Sequence, residues 1–247
     1  MASRLKRFSG GGTVVLDYNS IWTTVIGRRD DLVDPHFPRP IMEYTANRIF
    51  GPTFERLAAK QTAKANTMSS SAKDKSLKLT MILDTKSCGI ENNGRMVTLP
   101  RHNVQSTGKT TEDELVATPI FRLRENDYVL GERKMGGNAQ SIGKTGWLHH
   151  TSFLWDYHAE NMEYLTLPAK RPDYRGDRHH RDFLVKLTEV YPALTKADFF
   201  AALAETCEEE FRVERVTLSQ AMQIVNAQGG MKVWLQTKSR TRVLTDL

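Results

Sequence analysis

The sequence has few of the features that mark specialised protein classes. Only two of its 247 residues are cysteines, Cys88 and Cys207, which excludes a disulfide-built scaffold and a cysteine-built zinc site. No apolar run is long enough to span a bilayer, and no apolar segment follows the basic start as in a secretory signal. Hydrophobic residues still make up 39% of the chain. We therefore expect a folded protein of a reducing compartment, with no membrane partner.

Positive charge is in modest excess, with 35 Lys and Arg residues against 29 Asp and Glu residues. This excess favours anionic partners such as nucleotide phosphates, acidic proteins or nucleic acid. No arginine-rich tail, ribonucleoprotein motif or zinc finger accompanies the charge. The sequence therefore does not favour nucleic-acid binding.

Short β-prone runs predict the strands of a sheet. Residues 13–16 and 21–26 flank a turn signal, which predicts a first hairpin. Residues 127–130 and 133–135 flank a Gly-Glu turn and predict a second hairpin. Residues 147–155 are apolar and β-prone, and they predict a further strand.

Composition also predicts how the chain is divided. Residues 60–115 are polar, which predicts a partly disordered insertion. The last third predicts helices, and Thr195 and Asp198 have the spacing of a helix capping box. We expect a main domain at residues 1–190, interrupted by the insertion, and a helical segment at residues 191–247.

The first candidate binding element is the segment RFSGGGT at residues 7–13. Glycines let backbone N–H groups approach an anion closely, and an arginine can bind a phosphate through two hydrogen bonds. The spacing fits neither a P-loop nor a dinucleotide-binding fingerprint. Taken alone, a glycine triplet is more often a flexible turn, so phosphate binding and a simple turn both stay open.

The second candidate is Lys134, which precedes Gly136 and Gly137 on the second predicted hairpin. Glycines leave room for a ligand, and a fixed ammonium would stabilise negative charge developing at a phosphorus or acyl centre. Taken alone, a lysine on a hairpin is more often a solvated surface residue.

The third candidate is the pair His149 and His150 on the predicted strand. Adjacent strand residues point to opposite faces, so the two rings cannot bind one metal ion together. No nucleophile-elbow motif surrounds Ser152, which excludes a serine hydrolase. The sequence therefore predicts no structural metal site.

The three segments together resemble a known family. RFSGGGTVVLDYN at residues 7–19 is similar to the RRxSGGGAVxHDxGN segment of lipoate–protein ligases. ENDYVLGERKMGGNAQ at residues 125–140 resembles their ND…G.KisGnAq segment, and LHHTSFL at residues 148–154 resembles their HHGTLL strand. The segments occur in the family's order. The chain is thereby identified as a member of the lipoate–protein ligase A family, nearest to a plant- and protist-type branch.

The resemblance implies a fold and a reaction. The fold would be α/β (α+β), with a mixed β-sheet flanked by helices, as in class II aminoacyl-tRNA synthetases and biotin ligases, and the main domain would be catalytic. Lipoate and ATP, with Mg²⁺, would give lipoyl-AMP and pyrophosphate. The lipoyl group would then pass to a lysine of a carrier domain, in an E2 subunit of a 2-oxoacid dehydrogenase or in the glycine cleavage H protein.

The resemblance also implies roles for particular residues. Lys134 would be catalytic and would contact both the carboxylate and the α-phosphate. Asp127 would orient the mixed anhydride or bind Mg²⁺, and His149 lies on a strand that would contact the substrate. The residues implied to bind the nucleotide or lipoyl-AMP are Arg7, Ser9, Gly10, Gly11, Gly12, Thr13, Val14, Val15, Lys134, Asn138 and Ala139.

Three alternatives stay open. The first is an octanoyltransferase, an enzyme that forms a thioester on a cysteine. Here Ile120 stands at the position that matches this cysteine, and Cys88 lies in the polar insertion. A transferase that starts from ready-made lipoyl-AMP would share every motif. Little chain precedes the glycine loop, so the chain resembles an N-terminally short member, and a truncated relic without catalysis is the third alternative. We expect a location in the mitochondrion or the cytoplasm.

Overall fold

The structure is a computed structural model that describes residues 5–6, 9–10, 12–32, 37–73, 118–165, 171–236 and 242–243. The strands are Leu5–Lys6 (β1), Ile21–Arg28 (β2), Phe121–Arg124 (β3), Asp127–Leu130 (β4), Arg133–Ile142 (β5), Gly146–Phe153 (β6) and Arg242–Val243 (β7). The α-helices are Pro38–Thr45 (α1), Gly51–Lys73 (α2), His180–Phe183 (α3), Leu187–Val190 (α4), Lys196–Glu210 (α5), Leu218–Ala227 (α6) and Gly230–Gln236 (α7).

Five strands form the sheet that carries the predicted motifs, in the order β2-β6-β5-β4-β3. All of its neighbouring strands are antiparallel. One isolated parallel bridge joins Lys134 to Leu184 beside the sheet. β1 and β7 form a separate two-stranded pair.

One long helical stretch covers a face of this sheet. α1 begins with prolines in its first turn, where a missing N–H costs nothing. A π-helical turn at Ala46–Phe50 connects α1 to α2, just before Pro52, which has no N–H to continue the regular ladder. Regular α-helix is therefore interrupted directly before Gly51 and Pro52.

Aromatic rings between the sheet, the π-helical turn and α5 form the centre of the core. The Phe153 ring on β6 lies 5.0 Å from that of Phe50 and 5.3 Å from that of Phe199, centroid to centroid. All three side chains are fully buried. At the start of α5, Thr195 accepts from the backbone N–H of Asp198 and the Asp198 side chain accepts in return, as the capping-box prediction required.

The fold-class prediction of a sheet flanked by helices is confirmed, as are the second hairpin and the strand near residues 147–155.

The strand predicted at residues 13–16 is wrong, because β2 pairs with the distant β6 instead, from Ile21↔Phe153 to Arg28↔Gly146. Residues 12–16 form a loop in which Val14 and Leu16 are exposed. β-branched residues stabilise a strand when they are buried or paired with a neighbouring strand. The run at residues 13–16 is not paired with a strand of the described sheet and is largely exposed.

The chain divides into two units, residues 1–66 with 118–247, and residues 67–117. α2 continues to Lys73, so the first residues of the expected insertion are helical, and residues 74–117 lie outside the described part. The boundaries predicted at residues 190 and 191 stay a prediction. No helix in the described ranges combines the length and the apolar character needed to cross a bilayer.

Candidate functional site

An open cavity of about 410 Å³ lies at one edge of β5. β4 pairs with β5 only as far as Tyr128↔Gly136, so the rest of this edge of β5 has no partner strand in β4. The glycine-rich loop approaches the same edge, where the Gly10 N–H donates to the Gln140 carbonyl at 3.0 Å. The cavity is lined by Gly12, Thr13, Val14, Pro38, Met42, Asn126, Asp127, Lys134, Gly137, Asn138 and Gln140.

The structure therefore brings the first two sequence candidates to one cavity. Gly12, Thr13 and Val14 come from the loop, whereas Lys134 and Asn138 come from β5, more than a hundred residues later. A β-carbon built on Gly137 would lie in van der Waals contact with Val14, at 3.6 Å, and with the Ser152 hydroxyl, at 3.5 Å, so the loop lies close to β5 at this position.

Lys134 is the cation among the described residues that line the cavity, and it is bound to a buried carboxylate. Its Nζ lies 2.6 Å from Oδ1 of Asp127, whose side chain is only 8% exposed. The second carboxylate oxygen, Oδ2, accepts from the Tyr174 hydroxyl at 2.9 Å. Burial, followed by the charge of Asp127, raises the pKa of Tyr174 well above its ordinary range, so the phenol stays protonated and donates. Tyr174 lies outside every motif, and no pattern in the sequence identified it.

Asn138 is fixed by two hydrogen bonds at the cavity wall. Its Nδ2 donates to the Asn126 carbonyl at 3.1 Å, and its Oδ1 accepts from the Thr151 hydroxyl at 3.1 Å. These bonds leave the side chain one orientation, beside Asn126 in the turn between β3 and β4.

His149 is fully buried and belongs to the supporting layer rather than to the cavity wall. Burial first, and then His150, lowers its pKa to about 4, so the ring is neutral near pH 7. Gln140 Nε2 donates to Nδ1 at 3.0 Å, so the proton of the neutral ring is on Nε2, 3.0 Å from the Thr151 hydroxyl. His149 thus connects to Asn138 through Thr151.

His150 points to the opposite face of the sheet, as predicted for adjacent strand residues. Its Nδ1 lies 2.8 Å from the Thr24 hydroxyl, and its ring meets that of Trp22 edge-on at 5.8 Å. Among the described residues, no three His, Cys, Asp or Glu side chains come together in a way that could bind a metal ion.

The remaining residues predicted to bind the nucleotide do not line the cavity or lie outside the described residues. Ser9 is buried, and its Oγ has no hydrogen-bond partner among the described residues. Val15 and Ala139 do not line the cavity, and Ala139 is buried in the sheet. Arg7 and Gly11 lie outside the described residues.

A second cavity, of about 560 Å³, is lined by residues of the segments 157–165 and 179–189. It includes Lys186, whose Nζ lies 2.7 Å from Oδ1 of Asp156. Cys207 lines neither cavity, and burial followed by the charge of Glu208 raises the pKa of its thiol. A raised pKa disfavours the thiolate that a thioester mechanism needs. Cys88 lies outside the described residues.

The protein has an α+β fold. Its candidate site is a cavity of ligand size, lined by a glycine-rich loop and by the Lys134 cation of a β-hairpin. The profile of the lipoyl protein ligase A/B catalytic domain matches residues 77–208, more than half of the chain. The chain belongs to this family, which confirms the predicted membership. The match includes residues 77–117, where we expected an insertion, and it does not extend to the glycine-rich loop.

Individual relatives are more distant. The chain is 26% identical over 194 residues to the inactive lipoate–protein ligase 2 of Plasmodium falciparum, an alignment that covers 74% of this chain and 40% of that protein. The chain thus spans less than half the length of this curated relative.

Two solved structures are similar at low identity. A bi-partite lipoate protein ligase from Thermoplasma acidophilum, studied with its E2 lipoyl domain, is 14% identical, with a TM-score of 0.48 over 87% of this chain and 62% of that chain. A lipoate-protein ligase A bound with ATP is 15% identical, with a TM-score of 0.41 over 87% of this chain and 63% of that chain.

Proposed function

We propose that the chain is a lipoate–protein ligase, which activates lipoate with ATP and transfers the lipoyl group to a lysine of a carrier domain. The observation that carries the proposal is the shared cavity, lined by Gly12, Thr13 and Val14 on one side and by Lys134 on the other. Carrier domains of E2 subunits and of the glycine cleavage H protein are the proposed partners. A location in the mitochondrion or the cytoplasm stays a prediction.

A cation at the cavity supports the proposed first half-reaction. An oxygen of the lipoate carboxylate attacks the α-phosphorus of ATP, and the bond to pyrophosphate breaks, which leaves the mixed anhydride lipoyl-AMP. Both reactants are anions, so their approach needs a fixed positive charge. Lys134 supplies this charge from a side chain that is only 26% exposed, where the attraction is less screened by water than at a free surface.

The glycine-rich loop suits the phosphates of the nucleotide. Gly12 lines the cavity, and a β-carbon at this position would meet no described residue within 4 Å, so the described residues leave room for a ligand beside its α-carbon. The buried Ser9 hydroxyl lacks a partner among the described residues, which fits a loop that receives a polar ligand. From the resemblance, Arg7 is proposed to bind the phosphates as well. Mg²⁺ bound with the nucleotide phosphates would find one protein carboxylate here, that of Asp127, and would neutralise part of their charge.

The second half-reaction uses the same cavity. The amine of the carrier lysine attacks the lipoyl carbonyl, AMP leaves, and the amine loses a proton to give the amide. Asn138, whose side chain is fixed by Asn126 and Thr151, is proposed to orient the mixed anhydride.

One observation favours a second candidate, a protein that binds the ligand without turnover. The curated relative from Plasmodium falciparum is named an inactive ligase, although Lys134 and Asp127 are present and paired in this chain. A transferase that uses supplied lipoyl-AMP would need the same residues.

A carrier-modification assay separates these functions. The chain is incubated with an apo lipoyl domain, lipoate, ATP and Mg²⁺, or with lipoyl-AMP alone, and the carrier mass is measured. Modification that depends on ATP supports the ligase. Modification in the reaction with lipoyl-AMP but not in the reaction with lipoate and ATP would support the transferase, and an unmodified carrier in both reactions would overturn the proposed activity.

A further inference from the structure

One carboxylate connects Lys134 to a residue that no motif contains. Asp127 contacts Lys134 through Oδ1 at 2.6 Å and accepts from the Tyr174 hydroxyl through Oδ2 at 2.9 Å. The two contacts use different oxygens, so together they fix the rotation of the carboxylate. Because the Asp127 side chain is 8% exposed, water has little access to replace either contact.

Tyr174 is itself anchored from several directions. It lies in a short 3₁₀ turn at Asp173–Arg175. The Glu125 carboxylate accepts from the backbone N–H groups of Asp173 and Tyr174, each at 3.2 Å. The Arg124 guanidinium lies 4.5 Å from the centre of the Tyr174 ring, and the Phe183 ring lies 5.2 Å from it. These contacts place the hydroxyl on Asp127 rather than leaving it in solvent.

Glu125 adopts a backbone conformation that indicates a constrained turn. Its φ is +50°, in the left-handed region that residues other than glycine adopt at an energetic cost. The same turn carries Asn126 and leads into Asp127, the first residue of β4, and both residues line the cavity. The Glu125 side chain therefore links the strained turn to the segment that carries Tyr174.

We propose that Tyr174 is a positioning residue of the ligase site: its hydroxyl fixes the Asp127 carboxylate, which in turn holds the Lys134 ammonium at the cavity. The inference rests on the proposed role of Lys134 in binding the acyl nucleotide. Without the hydroxyl, only the contact with Lys134 restrains the carboxylate, so the pair can rotate together and the ammonium spends less time in the orientation that meets the ligand. Tyr174 needs no contact with the substrate to act in this way.

A double-mutant cycle tests whether Tyr174 acts through Asp127. The dissociation constant of a non-hydrolysable sulfamate analogue of lipoyl-AMP is measured by calorimetry for the wild type, Tyr174→Phe, Asp127→Asn and the double variant. We expect Tyr174→Phe to weaken binding about tenfold, as for the loss of a hydrogen bond to a charged group. In the Asp127→Asn background the same substitution should change binding by less than about twofold. Equal effects in the two backgrounds, or no effect in the wild type, would overturn the proposal.

Tyr157→Phe is the matched control, because Tyr157 is buried and lines the second cavity. It should leave analogue binding unchanged. A loss equal to that of Tyr174→Phe would indicate a general effect of removing a tyrosine hydroxyl and would contradict the proposal.

A second measurement does not depend on the proposed function. Acetylation by acetic anhydride is followed by mass spectrometry at Lys134 and at Lys186, two lysines paired with aspartates and 26% and 28% exposed. Tyr174→Phe should raise the acetylation rate at Lys134 severalfold relative to the rate at Lys186. In the Asp127→Asn background, Tyr174→Phe should leave this ratio of rates unchanged. An unchanged ratio of the rates would overturn the positioning role. If the wild type fails to bind the analogue, the proposed function fails, and the acetylation ratio still decides whether Tyr174 positions Lys134.

Discussion

Lys134 and Asp127 form their ion pair at the point where β4 and β5 leave regular register. The register shifts between Tyr128 and Val129, so that Tyr128 faces Gly136 while Val129 faces Lys134. Such an irregularity bends a strand and redirects its side chains. Here the irregularity lies beside the Lys134 ammonium and the Asp127 carboxylate, which are 2.6 Å apart at the edge of the cavity. The two groups contact each other instead of lying apart in solvent.

Replacing Lys134 removes the fixed charge of the proposed site. We expect Lys134→Ala to lower the rate of lipoyl-AMP formation by at least about a hundredfold, the usual cost of losing a preorganised electrostatic group. The rate is measured as lipoate-dependent pyrophosphate release. Lys186→Ala is the matched control, since Lys186 is also paired with an aspartate but lines the second cavity. Near-normal pyrophosphate release by Lys134→Ala would contradict the assignment.

Gly12 tests the loop without disturbing the fold. A β-carbon at Gly12 would meet no described residue within 4 Å, so we expect Gly12→Val to change the melting temperature little. The valine would occupy space in the cavity, and we expect it to weaken binding of the lipoyl-AMP analogue about tenfold or more. Unchanged affinity would show that the ligand does not approach this part of the loop.

Gly27 provides the opposite case. A β-carbon at Gly27 would overlap the indole ring of Trp147 on the neighbouring strand, so Gly27→Ala should destabilise the protein by about 1–3 kcal/mol. The free energy of unfolding in urea measures this cost. Stability equal to that of the wild type would mean that the Trp147 ring can move aside.

The buried His149 predicts a loss of stability in mild acid. Its pKa is about 4 in the folded chain, against 6.5 for the unperturbed group, so between these values the unfolded chain binds a proton that the folded chain does not. Stability therefore falls as the pH falls through this window, and His149 accounts for about 2 kcal/mol between pH 7 and pH 5. Urea unfolding at the two pH values measures the difference.

His149→Gln isolates this contribution. The pKa of His180 is also lowered, chiefly by burial, so part of the pH dependence should remain in the variant. We expect the loss between pH 7 and pH 5 to be smaller in His149→Gln than in the wild type by about 2 kcal/mol. An equal loss in both proteins would exclude His149 as the titrating group.

Helix capping can be tested at two similar sites. Thr195 caps α5, which buries Phe199 and Ala202 in the core, whereas Thr217 caps α6, which has no buried residues. We expect Thr195→Ala to lower the free energy of unfolding by about 1 kcal/mol. Thr217→Ala should fray α6 without this global effect, because no core packing depends on that helix. Equal losses for the two variants would contradict this difference.

Local patterns predicted the elements whose own residues specify them. The turn at Gly131 and Glu132 defines the second hairpin, and the capping box defines the start of α5. The strand expected at residues 13–16 failed because the partner of β2 is β6, more than a hundred residues away. Strand pairing over such a distance leaves no signal in a short run of sequence.

The candidate site was predictable only where motifs carry it. The glycine-rich loop and Lys134 could be assigned to one site from the order of the motifs. Tyr174 could not, because its contact with Asp127 depends on a turn that Glu125 anchors across 48 residues. Strand alternation predicts opposite faces for His149 and His150, but the burial of His149 and its connection to Asn138 through Thr151 required the structure.

A crystal structure of the chain with the sulfamate analogue of lipoyl-AMP would test the central claim most directly. We predict that the Lys134 ammonium contacts the group that replaces the acyl phosphate, and that the backbone of Gly12 and Thr13 lies against the nucleotide. The claim would be contradicted by an analogue bound elsewhere, or by one bound in the cavity while Lys134 contacts Asp127 alone.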